Sequence, residues 1–193
     1  MSPRFFAMVV AVALVGCASP QRRIEADKVK VFTLAAPVRS VQVFLAPLLD
    51  PRLARAHIEA VSGWNTLLFD QRFGKRLVEN FKANGVNASF RGASQMMVGS
   101  VAEPPELIMV VAATGFAYKT RFGDMQDGRA NYGIRVTVRQ PPSPAAVVEY
   151  EDSMDRTFIS SHDDLPDRFT YSFFNLLKDR GQWPADRKIE LSK

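Results

Sequence analysis

The sequence predicts an α+β fold: a two-layer sandwich in which two long helices lie on one face of a mixed, mostly antiparallel sheet. Three observations predict it. Two stretches, about Asn65 to Ala83 and Leu165 to Leu177, repeat apolar residues at helical spacing, while six others alternate or run apolar over strand lengths. The first helix stands between two early strands, and a helical crossover joins strands that run the same way, so these two are parallel. The last three strands follow one another through turns, which makes an antiparallel meander. Helices gathered on one side of such a sheet enclose a single core.

The chain opens with Arg4 and the free amine ahead of eleven unbroken apolar residues, Phe5 to Val15. At ~1.5 Å per helical residue these span about 16 Å, against roughly 30 Å of hydrocarbon, which is too short to cross a bilayer. The pattern is that of a secretory leader, removed on export. Leu14-Val15-Gly16-Cys17, with small residues at Gly16, Ala18 and Ser19, resembles the lipobox of bacterial lipoproteins. The resemblance implies cleavage between Gly16 and Cys17 and acyl chains, palmitate among them, on Cys17. Ala18 stands where inner-membrane lipoproteins carry aspartate, so it also implies an outer-membrane address facing the periplasm. Two or more acyl chains anchor stably at ~0.8 kcal/mol per buried methylene. Cys17 is the only cysteine, so its lipidation leaves no sulfur for a disulfide or a nucleophile.

The expected organisation is therefore a signal peptide over 1–16, a lipidated tether over 17–27, one α+β domain over 28–183 and a flexible tail over 184–193. Removing the leader leaves 177 of 193 residues. A chain of that size buries roughly 70% of the surface it exposes when unfolded, enough for one core without disulfides. The net charge is +5, falling to +4 once Arg4 leaves, and it is spread along the chain. No block of like charge marks a nucleic-acid arm, so nucleic acid is not an expected partner.

Within the domain, Lys28 to Ala35 alternates through Val29 and Val31, and Val41, Val43 and Leu45 alternate around Gln42; both read as strands. Asp50-Pro51 reads as an N-cap and first helical residue of a short helix to about Ala60. From Asn65, Leu68 or Phe69 with Phe73, Leu77, Val78 and Phe81 share one helix face, and Arg72, Lys75, Arg76, Glu79 and Lys82 take the other. Asn84-Gly85 is a left-handed stop. Val86 to Arg91 is a strand parallel to the one at Val41. Gln95-Met96-Met97-Val98 is apolar and flexible, and a methionine pair there can line an adaptable contact surface, though cover of the core is the preferred expectation.

Leu107 to Tyr118 is the most apolar run of the mature chain and reads as a central strand covered on both faces. Asn131 to Gln140 alternates, and Thr120 to Ala130, with Gly123 and Asp127-Gly128, reads as a long hairpin tip. After the turn at Pro141 to Pro144 the chain returns with Val148, Tyr150, Met154 and Phe158 on one face. The second helix starts near Ser161 to Asp164, has Pro166 in its first turn, and buries Leu165, Phe169, Phe173, Leu176 and Leu177. Gly181 closes it.

This order of elements, with Trp64-Asn65 preceding a helix that carries Phe73, Leu77 and Val78, resembles the small periplasmic lipoproteins that are auxiliary components of ABC-type transport systems. Outer-membrane lipoproteins that help assemble lipopolysaccharide export, and those that activate peptidoglycan synthases, have related orders. The resemblance implies an envelope protein complex or outer-membrane protein as partner, and it carries over no binding residues.

Catalytic signatures are few. The histidines are His57 and His162 alone, and no serine sits in a Gly-x-Ser-x-Gly elbow, since Gly92-Ala93-Ser94 lacks the closing glycine. His162-Asp163-Asp164 reads as a helix N-terminus, where carboxylates meet the positive end of the dipole, rather than as three ligands of one ion. Asp124-x-x-Asp127-Gly128 lacks the alternating acids of a calcium loop and reads as a turn. Gly74-Lys75 lacks the glycine spacing of a phosphate loop. No catalytic residue, metal site or cofactor is therefore expected. The expected function is a non-enzymatic accessory or assembly module working through a sheet edge or uncovered sheet face. The alternative is a lipid or glycolipid carrier with an apolar groove between helices and sheet, and an envelope hydrolase ranks third.

Overall fold

Seven strands form one sheet in the order β1-β7-β6-β5-β2-β3-β4. The computed structural model describes residues 23–47, 67–101, 104–121, 124–157 and 164–192. A short 3-10 turn, Ala26–Lys28, leads into β1 (Val29–Phe32) and β2 (Ser40–Leu45). Then come α1 (Leu67–Ala83), β3 (Asn87–Arg91), β4 (Met97–Gly99), β5 (Leu107–Arg121), β6 (Asp124–Arg139), β7 (Ala146–Thr157) and α2 (Asp164–Asp179). β2 pairs in parallel with both β3 and β5, and every other pair is antiparallel. The fold is the predicted α+β sandwich. The proposed helix over Asp50 to Ala60 lies outside the described residues.

Alternation along the strands decides which face is covered. Val41, Val43 and Leu45 on β2, Met109 and Val111 on β5, Ile134, Val136 and Val138 on β6, and Val148 and Tyr150 on β7 are all buried. Against them α1 lays Phe73, Leu77, Val78 and Phe81, and α2 lays Leu165, Phe169, Phe173, Leu176 and Leu177, the stripes the 3.6-residue period predicts. Ring contacts tie the layers: Phe73 meets Phe90 at 5.8 Å and Phe169 at 6.4 Å, Phe81 stacks on Phe173 at 5.7 Å, and Phe174 meets Trp183 edge-on at 4.6 Å. Each such pair adds about 0.5–1.5 kcal/mol beyond the area it buries. Gly74 makes the closest approach of α1 to the sheet: a Cβ there would stand 2.2 Å from the Phe90 ring.

Between the helices runs a polar seam. Arg76 grips Asp167 with two bonds of 3.0 and 3.1 Å, and Asn80 donates to Asp167 at 2.7 Å and to Thr170 at 3.3 Å. Arg76 therefore turns toward α2 and does not belong to a free basic face.

The residues after Trp183 depart from the expected flexible tail. Ile189 and Trp183 are buried, and the Asn84 side chain donates to the Glu190 carbonyl at 2.7 Å while accepting from its amide at 3.0 Å. Asn80 accepts from the Ser192 amide at 2.8 Å and its hydroxyl at 3.0 Å. Asn80 on α1 and Asn84 just past its end thus read the tail backbone as a neighbouring strand would. The charged residues that suggested fraying are the ones that point away: Asp186, Lys188 and Glu190 are exposed.

The meander also differs from expectation. β5 and β6 stay paired through Lys119↔Arg129 to Arg121↔Asp124, so the segment read as a hairpin tip is mostly strand. β2 stops at Leu45, level with Val111, and β1 reaches no further than Val29, level with Tyr150. Beyond that level β5, β6 and β7 continue alone as a three-stranded ribbon.

Candidate interaction surface

The second face of the sheet carries the side chains that alternate with the core. Pairing places Arg91, Phe44, Val110, Thr137 and Glu149 in one row across β3, β2, β5, β6 and β7, and Gln42, Ile108 and Arg139 in the next. Phe44, Ile108 and Val110 are only partly buried, whereas their core-side neighbours Val43, Met109 and Val111 are fully so. Among the described residues β5 is therefore central in the sheet but covered on one face only, where the sequence led to an expectation of cover on both. A continuous apolar run is what misled: Ile108 and Val110 look like core in sequence yet form an apolar stripe on a face that carries no helix among the described residues.

Charges bound the stripe. Arg135 on β6 pairs with Glu151 at 3.2 Å and approaches Glu149 at 3.9 Å, and Arg139 is exposed beside Ile108. At the opposite margin Arg91 donates to Gln95, and Met97, paired with Arg91, is 56% exposed. Met97 so belongs to this surface and not to the core cover expected of the Met96-Met97 pair. An apolar centre with a charged rim is the anatomy of a protein contact surface.

The edges are poorer candidates. β4 is three residues long and flanked by positive φ at Gln95 (69°) and Gly99 (74°), which bend the chain away from pairing. Its turn is held from beneath by Asp70, whose Oδ2 accepts from the Ser94 amide at 2.7 Å; only glycine at position 92 leaves room, since a Cβ there would lie 2.1 Å from the carboxyl carbon. β1 is four residues with an irregular register between Val29 and Val31, and Lys30 is exposed on it. Short, irregular, lysine-bearing edges resist strand addition. Just before β1, Lys28 pairs with Glu25 at 3.0 Å, and that hydrogen bond, with the charge of Glu25 behind it, holds its ammonium above the usual lysine range.

One cleft of about 230 Å³ opens at the far end of the sheet, lined by Leu34, Pro37, Val38, Arg39, Glu106 and Gln140. It is organised by Glu106, whose carboxylate accepts from the Arg39 and Ser40 amides at 3.1 and 3.3 Å, while Ser40 Oγ accepts from the Glu106 amide at 3.1 Å. These bonds join the starts of parallel strands β2 and β5. Among the described residues no three His, Cys, Asp or Glu side chains converge on a possible metal position.

Cys17 and Gly16, the sequence-predicted lipidation and cleavage residues, lie outside the described residues, as do His57 and His162. Phe44, Ile108 and Val110 escaped sequence reasoning because nothing in a run of apolar letters says how many layers a sheet will have, whereas Met97 falls in the pair whose alternative reading is a contact surface. The one available signal was Gln42, a polar residue between Val41 and Val43.

No protein-family model matches the chain, and no curated protein matches it. Solved structures that resemble it include bacterial lipoproteins. A point variant of PelC from Paraburkholderia phytofirmans, a dodecamer, is 13% identical, with 72% of this chain and 86% of that one covered and a TM-score of 0.39. Lipoprotein GNA1162 from Neisseria meningitidis is 11% identical over 73% of this chain and 99% of that one, with a TM-score of 0.31. A minor lipoprotein from Acinetobacter baumannii is 8% identical over 74% and 90%, also with a TM-score of 0.31.

Proposed function

We propose that this chain is a lipoprotein anchored through Cys17 to the periplasmic face of the outer membrane, and that its domain is a non-enzymatic assembly module for an envelope transport or biogenesis complex. The observation that carries the reading is a sheet that the described residues cover on one face only: on the other, Phe44, Ile108 and Val110 form an apolar stripe, rimmed by Arg91, Arg135, Arg139, Glu149 and Glu151. Blunted edges on β1 and β4 favour this face over strand addition as the contact. The carrier alternative finds less support, because the space between helices and sheet is filled by Phe73, Phe81, Phe90, Phe169, Phe173 and Phe174.

The test is a photoreactive residue at position 108 in intact cells, with position 75 on the exposed side of α1 as control. One predominant envelope protein captured from position 108, and lost when Val110→Asp is added, is the expected result. Equal capture from both positions, or none from either, rejects the face as the contact. Stoichiometric lipid extracted from the purified protein would move the assignment to the carrier.

A further inference from the structure

We infer that Arg91 is a carboxylate receptor, held in place for an acidic side chain of the partner that covers the sheet face; this rests on that face being the contact. Arg91 is exposed, and its Nε and Nη2 both donate to one neutral acceptor, Gln95 Oε1, the first at 2.8 Å. Among the described residues it has no ion pair. Gln95 takes the side edge of the guanidinium fork and leaves the end edge, Nη1 with Nη2, whose parallel N–H groups match the oxygens of a carboxylate. An amide at position 95 thus fixes the direction of the guanidinium without cancelling its charge.

The turn that presents Arg91 is built at a cost that stability alone does not explain. Gln95 sits at φ 69°, a left-handed conformation that glycine adopts freely and a long side chain does not. Glycine there would relieve the strain and lose the hold on Arg91. Beneath the turn Asp70 is fully buried: its Oδ2 accepts from the Ser94 amide at 2.7 Å, and its Oδ1 has no partner among the described residues. A buried carboxylate oxygen left unpaired is destabilising. Backbone bonds close the loop, from the Gly92 amide to the Met96 carbonyl at 2.8 Å and from the Gln95 amide to the Gly92 carbonyl at 3.0 Å. What these features deliver to the surface is Arg91, Gln95 and Met97, all exposed. Strain and an unpaired polar group converging on one short turn mark a functional surface.

The neighbours define the rest of the ligand. Arg91 pairs with Met97 on β4 and with Phe44 on β2, and Phe44 pairs with Val110 on β5. The cation therefore lies among apolar side chains, where a charge-assisted bond strengthens once a partner excludes water. The segment fitted to this place presents an aspartate or glutamate beside aliphatic or aromatic residues. Arg135, by contrast, is already engaged by Glu149 and Glu151.

The test uses the full chain in intact cells with the photoreactive residue at position 108, and compares Gln95→Glu and Arg91→Gln with the otherwise unchanged chain. Gln95→Glu neutralises Arg91 where it stands, so melting temperature should hold while capture of the envelope protein falls about tenfold. Arg91→Gln should lose capture to a similar extent. Undiminished capture in either folded variant overturns the carboxylate receptor and leaves the face standing as the contact; should Gln95→Glu unfold, Arg91→Gln decides alone. No capture from position 108 in the unchanged chain overturns both. A photoreactive residue at position 97 that labels lipid and no protein assigns the cation to phosphate headgroups, and likewise overturns the receptor.

Discussion

Gly74→Ala is a substitution whose sign the structure decides. In an exposed helix interior the change favours folding by about 0.5–1 kcal/mol, because alanine has less freedom to lose. At position 74 the added carbon would stand 2.2, 2.7 and 2.9 Å from three atoms of the Phe90 ring, so about 1.2 Å of separation must be found to reach ordinary contact. Phe90 cannot supply it cheaply: its ring is fully buried and lies 5.8 Å from that of Phe73, which in turn lies against Phe169. Helix α1 must lift from β3, and overpacking of that kind costs typically ~1–3 kcal/mol. Phe90 is shared by several core contacts, which places the cost in the upper half of that range, so the net expectation is a loss of about 1–2 kcal/mol. Urea unfolding followed by far-UV circular dichroism measures it. Phe90→Leu added to Gly74→Ala should recover part of the loss, as the two sites share one space. A neutral or stabilised Gly74→Ala would refute the close approach of α1 to the sheet, and with it the placement of both helices on that face.

Asn84→Ala removes the bonds to the Asn80 and Glu190 carbonyls and leaves the Glu190 amide unpaired; a loss of about 1–3 kcal/mol, with fast amide exchange at Glu190 and Ser192, is expected, and unchanged exchange there would show that the tail is held by something else. Burial, reinforced by the charge of Asp152, raises Tyr150 well above the ordinary tyrosine value. The unfolded chain begins to lose that proton near pH 10 while the folded chain keeps it, so stability should fall as pH rises from about 10 through the folded-state value. Among the described residues its buried hydroxyl has no hydrogen-bond partner, so Tyr150→Phe should be neutral or stabilising by about 1 kcal/mol below that pH and flatten the alkaline limb; an unchanged limb would refute the assignment. Cys17→Ser should abolish lipid attachment, seen by mass analysis, while melting temperature is unchanged; normal processing and membrane retention of that variant would sink the proposed anchor.

Periodicity carried the helices and the covered face of the sheet. Phe73, Leu77 and Phe81, or Val41, Val43 and Leu45, can satisfy their spacing only by facing one core, and they do. Three features were not legible, each for its own reason. The number of layers depends on what lies over Phe44 and Val110, and a strand with apolar residues on both sides reads the same with one layer as with two. The tail lacked any periodic signal because its anchoring is backbone recognition by Asn80 and Asn84, from more than a hundred residues earlier in the chain. The ribbon was hidden by its composition: Gly128 and two aspartates looked like a turn, but the neighbouring strand gives their backbone enough partners to continue pairing. Of the proposed contact surface only Gln42 and the Met96-Met97 pair gave any signal in the sequence.

Chain direction links these pieces into an orientation. The domain's N-terminal turn, Ala26–Lys28, sits at the ribbon end of the sheet, while α2 ends and the tail docks against Asn84 at the opposite end. If the proposed anchor at Cys17 brings this turn toward the bilayer, the apolar stripe of Phe44, Ile108 and Val110 on the sheet face is directed along the membrane surface rather than away from it. On that placement a partner that covers this face stands beside the domain. A soluble protein could meet such a face only after reaching the membrane, whereas a component already resident there would meet it by lateral diffusion at high effective concentration. Such confinement would favour a complex through this stripe in place, which is why the proposed contact is tested in intact cells rather than in a dilute extract.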